Sequence, residues 1–279
     1  MGRVTVRRKL RAIDTSTGES VIRMDSLAGE EPLEIRAGQQ VITVTMRTPG
    51  HDLELIHGFL NAEGVITGPS DVQAARYCAG SVISNETGQP ENTYNVMEVN
   101  LVPAAALRVA GAIRNFATTS SCGVCGSASI DDVHAKVGHD IAGNGAVIPA
   151  AVVAELPDRL RAQQTTFERT GGLHAAGLYD FDTTELVVRE DVGRHNAADK
   201  VIGARLLAGS TGERTVLVLS GRISFELVQK AAMAGIPVIA AVSAPSSLAV
   251  ELAEDLGITV AGFVRGGRMN VYTHDRRIG

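Results

Sequence analysis

The sequence predicts an α/β protein in two parts, a strand-rich N-terminal subdomain over residues 1–145 and an α/β subdomain over residues 146–279. Three observations carry this. Apolar residues alternate with polar and β-branched ones at Gln40–Met46 and Tyr94–Leu101, the period of half-buried strands. Asp140-Ile141-Ala142-Gly143-Asn144-Gly145 is glycine-rich and unpatterned, which marks a boundary within about ten residues of it. Beyond it, short apolar runs alternate with helical patterns, the signature of strands and helices in turn.

In the first part, Asp52 is expected to cap a helix carrying Leu53, Ile56, His57 and Leu60 on one face and ended by Gly64. A second helix is expected from Pro103 through Leu107, Ala110, Ile113 and Arg114, leading into a cysteine-containing loop. A further helical run follows from about Pro149 to Gln164. Strands are then expected at Ala175–Tyr179, Glu185–Arg189, Val216–Leu219, Val238–Ala241 and Thr259–Phe263, and helices at Asn196–Leu207, Phe225–Ala234 and Ser247–Leu256. Parallel strands linked by short helices bind ligands at their carboxyl ends. That rule puts Ser220-Gly221-Arg222, Ser243 to Ser247 and Arg265-Gly266-Gly267-Arg268 along one edge.

Composition narrows the function classes. With 279 residues, 44% hydrophobic and 20% charged, the chain is long enough for a sizeable core and lacks the bias of disorder. A net charge of -5 argues against a general binder of nucleic acid backbones. The basic start, Arg3 to Lys9, is not followed by a signal-peptide core, and the longest apolar run, Ile236–Val242, is strand-sized. The expected setting is cytoplasmic, without a membrane. Three cysteines make a poor disulfide framework and favour thiol chemistry.

Ser120-Ser121-Cys122-Gly123-Val124-Cys125-Gly126 surrounds two thiols with small residues, which leaves them accessible on a pliable backbone. A thiolate there is a nucleophile that can accept and pass on sulfur by exchange. Spacing alone leaves three other readings open: half of a zinc site, a redox dithiol, or inert core cysteines. Against zinc, no second ligand pair accompanies the first, so no metal ligands are assigned. Cys78 reads as an inert strand residue.

Two polar motifs lie in the second part. Thr170-Gly171-Gly172-Leu173-His174 puts a histidine after a paired-glycine turn, near an exposed edge. Glu190-Asp191-Val192-Gly193-Arg194-His195-Asn196-Ala197-Ala198-Asp199-Lys200 holds Asp191, Arg194 and His195 at a helix start, either as a polar site or as a capping and ion-pair cluster.

These segments, with Ser121–Gly126, Ser220–Glu226 and Phe263–Thr273, together resemble the FdhD family over most of the chain. The match is weakest in the first 30 residues or so and across Ser81–Asn92. The resemblance implies a cytidine-deaminase-like, three-layer C-terminal subdomain. It also implies a sulfurtransferase that takes sulfur from a cysteine desulfurase as a persulfide and passes it to a bis(molybdopterin guanine dinucleotide) molybdenum cofactor for formate dehydrogenase. By that resemblance Cys122 is the persulfide carrier and Cys125 its support. Phe263, Val264, Arg265, Gly266, Gly267 and Arg268 are the cofactor-binding segment, with Ser220, Gly221, Arg222, His174 and Ser243 as further candidates. Paired glycines that let the backbone approach a phosphate, between two arginines, agree with that role.

A guanine nucleotide is expected to bind as a partial mimic of the cofactor, and two guanine ends per cofactor favour a homodimer. Deamination is not expected, since Ala176 stands where a His-x-Glu motif would need a carboxylate. The rival from another class is a non-catalytic cofactor chaperone.

Overall fold

A computed structural model describes residues 2–78, 94–109, 133, 135–210 and 212–279, with the backbone alone at 81–83 and 90–92. The cysteine loop with Cys122 and Cys125, and the part of the expected second helix beyond residue 109, lie outside the described residues.

The chain opens with β1 (Thr5–Ile13) and β2 (Ser20–Ala28), a hairpin paired over nine residues. Next come β3 (Glu31–Ala37), β4 (Gln40–Arg47), helix α1 (Asp52–Ala62), β5 (Val72–Tyr77), the short β6 (Ser81–Ile83) and β7 (Pro90–Asn92), and β8 (Val96–Leu101). Four of them form a sheet in the order β4-β3-β8-β5. Its inward residues Leu33, Ile35, Ile42, Met97 and Val99 bury against Leu55, Ile56 and Leu60 of α1. Residues 103–109 are helical, as expected of the start of the second helix.

The second half contains α2 (Ala150–Ala162), α3 (Thr165–Thr170), β9 (His174–Asp180), β10 (Leu186–Asp191), α4 (Arg194–Leu207), β11 (Thr215–Leu219), α5 (Phe225–Met233), β12 (Val238–Ala241), α6 (Ser247–Leu256), β13 (Thr259–Arg265) and β14 (Arg268–Thr273). The six strands form one sheet, β10-β9-β11-β12-β13-β14. Residues on its strands alternate between two cores. Leu217, Leu219, Ile239 and Ala241 face Val201, Leu227, Val228 and Leu252 from α4, α5 and α6. Val216, Val218, Val238 and Ala240 face Val153, Leu156 and Leu160 from α2. Helices on both faces of a sheet make the three layers expected of this half.

Several expectations need correction. Only β11, β12 and β13 pair in parallel; β10 with β9, β9 with β11 and β13 with β14 pair antiparallel, so the sheet is mixed. The hairpin β1–β2, β3, β5 and β14 were not expected as strands; much of β2 is exposed on both sides and shows no clean alternation. Asp52 does not cap α1. His51 does so positionally, in a left-handed conformation with φ 58°, while Asp52 turns inward to meet the Arg47 guanidinium at 2.9 Å and accept from Tyr77 Oη at 2.7 Å. Leu53 is 43% exposed, off the buried face. Cys78 lies one residue past β5, half-buried, its amide bonded to the Val96 carbonyl.

The halves meet where α1 crosses α4. Gly58 of α1 rests on the backbone of Asp199, and Gly203 of α4 rests on the Glu54 carbonyl; a methyl at either place would overlap main chain. Helices usually pack 8–10 Å apart because side chains intervene. Here the backbones touch. Replacing Gly203 with Ala must push the helices apart, and overpacking of this kind costs about 1–3 kcal/mol or more. Urea unfolding of Gly203→Ala should show that loss, and an unchanged midpoint would mean the crossing has slack.

Candidate functional site

β11, β12 and β13 all end on one side of the sheet, and antiparallel β9 begins there, because Ala176 pairs with Leu219. This brings His174, Ser220, Val242, Val264 and Arg265 to the wall of one cleft of about 590 Å³. Its opposite wall comes from α2 and α3, through Pro157, Asp158, Arg161, Gln164 and Phe167.

Each predicted residue now has a place. Ser220 Oγ accepts from the Ala175 amide at 2.8 Å and the Ser220 amide donates to the Ala175 carbonyl, so this residue fastens β9 to the end of β11. Gly221 faces the His174 ring, where a Cβ would sit 3.4 Å from Nδ1. Burial, then the charge of Arg194 and His195, pushes the pKa of His174 down and so favours the neutral imidazole on the cleft wall. Ser243 contributes its carbonyl, which accepts from the Phe263 amide at 3.2 Å.

The segment from Phe263 to Arg268 is a bulge followed by a tight turn. Between Gly262 and Arg265 the pairing with β14 slips by one residue, and Phe263 there takes φ 53° and stands 37% exposed. Gly266 and Gly267 have φ 57° and 72°, the pair of positive values that a two-residue hairpin turn requires. The two glycines therefore have a structural reason that sequence reading missed. Arg265 and Arg268 pair across the turn and are both exposed, and neither makes an ion pair among the described residues, nor does Arg222. Guanidinium groups that make no ion pair among the described residues suit phosphate oxygens.

The motif from Glu190 to Lys200 divides. Asp191 is fully buried and holds the halves together rather than forming a ligand site. Its carboxylate accepts from the Thr48 amide at 3.1 Å and the Gly193 amide at 2.9 Å, and meets Lys200 Nζ at 2.7 Å. Lys200 donates in turn to the Thr48 carbonyl at 2.9 Å, and Asn196 Nδ2 donates to the Met46 carbonyl at 2.7 Å. Glu190 accepts from the Thr166 and Phe167 amides and so caps α3 beside the cleft. His195 faces the other way from this joint, with Nε2 2.8 Å from Glu226 Oε2 and 3.1 Å from Ser224 Oγ. That hydrogen bond from His195 holds the Glu226 carboxyl below its ordinary range despite burial. Arg194 Nε is buried with no hydrogen-bond partner among the described residues.

The cleft wall of α2 and α3, and Glu226, were missed from the sequence. Asp158 and Gln164 sit in a run that reads as an ordinary helix, and only the fold shows which face meets the strand edge.

Comparison with known proteins gives the arrangement its context. The model of the FdhD/NarQ family matches residues 28–279. The chain belongs to that family. It is 52% identical over 278 residues to the sulfur carrier protein FdhD of Nocardia farcinica (strain IFM 10152), covering 99% of this chain and 96% of that one. It is 50% identical over 283 residues to the sulfur carrier protein FdhD of Mycobacterium tuberculosis (strain ATCC 25618 / H37Rv), covering all of both. A solved structure described as a putative formate dehydrogenase accessory protein from Desulfotalea psychrophila superposes with a TM-score of 0.75 at 23% identity, over 99% of this chain and 100% of that one. The α/β fold of this chain is thus shared with that protein. No helix among the described residues is long and apolar enough to cross a membrane.

Glu54 ties the joint between the halves to pH through its ion pair with Arg189. Burial alone would raise the Glu54 carboxyl, but hydrogen bonds from Arg189 and His51 outweigh it and hold the pKa down at about 2. A carboxyl depressed in the folded state stabilises it fully above its unfolded value near 4.5, and that stabilisation fades as pH falls towards 2. The difference in melting temperature between the native chain and Glu54→Gln should therefore be largest near neutral pH and shrink below about pH 4. A difference independent of pH would remove this role.

Proposed function

We propose that this protein carries sulfur as a persulfide on Cys122 and delivers it to a molybdenum cofactor bound along the strand edge, for use by formate dehydrogenase. The observation that carries the reading is the 52% identity, over almost the whole chain, to a sulfur carrier protein FdhD. The Ser-Cys-Gly-Val-Cys-Gly segment at 121–126 supplies the thiols that such a carrier needs.

Loading is a thiol exchange. The Cys122 thiolate attacks the outer sulfur of a cysteine persulfide on the donor desulfurase. A new S–S bond forms on Cys122, the donor's S–S bond breaks, and the donor cysteine leaves as a thiolate that takes up a proton. On delivery, the Cys125 thiolate attacks the inner sulfur of that persulfide, which forms a Cys122–Cys125 disulfide and releases the outer sulfur as hydrosulfide for the acceptor. A cellular dithiol reopens the disulfide by the same exchange.

The acceptor, and so the substrate of the delivery step, is the bis(molybdopterin guanine dinucleotide) cofactor. Arg265 and Arg268 bind its phosphates through charged hydrogen bonds, with Arg222 as further support. Phe263 and Val264 flank them, and Gly266 and Gly267 keep the turn free of side chains, with open space around both. Ser220, Gly221, His174 and Ser243 form the wall behind. A homodimer gives each of the two guanine ends of the cofactor one such edge.

Incubation with a cysteine desulfurase and cysteine should add about 32 Da, one sulfur atom, to the peptide that holds Cys122. Cys122→Ala should abolish maturation of formate dehydrogenase while leaving the fold intact. Full maturation by that variant would instead support a chaperone that binds cofactor without handling sulfur. Replacing Arg265 and Arg268 together with Ala should weaken binding of a guanosine diphosphate probe by about tenfold or more, each charged contact being worth roughly 1.5–3 kcal/mol. Unchanged affinity would remove the turn from the cofactor site.

A further inference from the structure

Among the described residues β1 and β2 pair only with each other. A two-stranded ribbon is marginal in water unless something packs on it. Side chains opposite one another in an antiparallel pair point to the same side, so the register sorts this hairpin into two faces. On one face Val6, Leu10, Ala12 and Asp25 are half-buried. On the other, Arg7 stands opposite Ser26, Lys9 opposite Met24, Arg11 opposite Ile22 and Ile13 opposite Ser20, and all of these except Ser26 are exposed. Two rows run side by side along that open face. Arg7, Lys9 and Arg11 repeat at every second residue, about 7 Å apart. Beside them Met24 and Ile22 are 51% and 63% exposed, with Ile13 at 62% near the turn. Arg11 Nε donates to Ser20 Oγ at 3.0 Å, and none of the three cations makes an ion pair among the described residues. The arm is rooted beside the cleft. Its strand β2 packs on α3, and Ala28 Cβ lies 3.4 Å from where a side chain on Gly172, a cleft residue, would begin.

We infer that the open face of this arm docks the protein that receives the sulfurated cofactor, through a segment of that protein with carboxylates beside apolar side chains. The inference rests on the reading above, in which the cofactor lies in the cleft and formate dehydrogenase is its recipient. A contiguous exposed apolar row beside charged residues is the form of an interaction surface rather than of a free one. The cation row selects an acidic partner and steers its approach, and the apolar row holds it once it has arrived. A second copy of this chain suits the face badly, because a twofold contact brings the same face again, with three more cations and no carboxylate to meet them. Nucleic acid would engage the cations and leave Ile22 and Met24 in water. Membrane-interface anchors are rich in Trp and Tyr, and the arm has neither. A recipient held on the arm stands next to the cleft from which it must take its cofactor.

Surface plasmon resonance of the full chain against cofactor-free formate dehydrogenase tests the assignment. Replacing Arg7, Lys9 and Arg11 together with Glu should slow association by about tenfold or more at low salt, and the deficit should narrow as salt is raised. Ile22→Ser combined with Met24→Ser should instead speed dissociation, by roughly tenfold. All five positions are exposed, and thermal melting shows whether each variant folds. Loading of the Cys122 peptide by a cysteine desulfurase should be unchanged in both variants. Native binding rates in both variants, or no binding by the native chain, would overturn the docking surface, and normal sulfur loading in the same samples would leave the carrier reading standing. A native chain that takes up no sulfur removes that reading and the inference with it. Loss of binding to phosphatidylglycerol vesicles without loss of binding to the enzyme would assign the arm to a membrane, and a changed oligomeric state in light scattering would assign it to a second copy; either result overturns the assignment.

Discussion

The buried pair Asp191–Lys200 is the interaction on which the rest of this structure hangs. Both side chains are sealed from water at the point where the N-terminal half meets the six-stranded half, and each also bonds the backbone of Thr48 from the other half. Taking two charges out of water is costly, and the cost is met only when every remaining donor and acceptor finds a partner. Here the Gly193 amide, Asn196 and the Thr48 backbone supply them. A nonspecific apolar seam would hold the halves together at many angles. This network is satisfied at one.

That single angle is what makes a strand edge into a cleft. Glu190 and Asp191 are neighbours at the end of β10, and they face different tasks: Asp191 fastens the halves and Glu190 caps α3. The same stretch of chain therefore sets both the joint and the corner that carries Gln164 and Phe167. Ser220 performs a similar task on the other wall by tying β9 to the end of β11, which fixes His174 against Gly221. At the C-terminal side, the buried Arg277 guanidinium bonds the carbonyls of Ile141, Asn144 and Gly257, so the glycine-rich stretch after residue 139 is clamped to the sheet.

The second half was largely legible in the sequence because its central strands β11 and β12 are buried on both faces and its helices are amphipathic, so composition and period point the same way. Helix α6 has Ser246 at its N-cap and Gly257 at its C-cap, and its bounds match the sequence pattern. The first half was less legible. β2 exposes most of its side chains, so it has no buried face to impose alternation. Asp52 has the local chemistry of a cap, but a partner five residues back, Arg47, takes the carboxylate into the core. The motif around Asp191 shows the same limit. Its density of polar groups is visible, but polar groups that bind a ligand and polar groups that bind the other half of the chain look alike until the fold brings Thr48 beside them. The paired glycines at 266 and 267 suggest phosphate access, and their positive φ values show that the turn itself already demands them.

The contact of Gly58 with Gly203's helix also has a mechanical meaning. Side chains between two helices act as compliant spacers, since rotamers can shift to absorb a small displacement. Two backbones in contact have no such compliance, so the crossing works as a pivot that resists sliding and compression while opposing rotation only weakly. The Asp191–Lys200–Thr48 clasp adjoins that pivot, since Lys200 follows Asp199 in α4, and it fixes the angle that the backbone contact leaves free. The N-terminal half and α4 are thereby coupled as one unit, and α4 is the helix whose first turn carries Arg194 and His195.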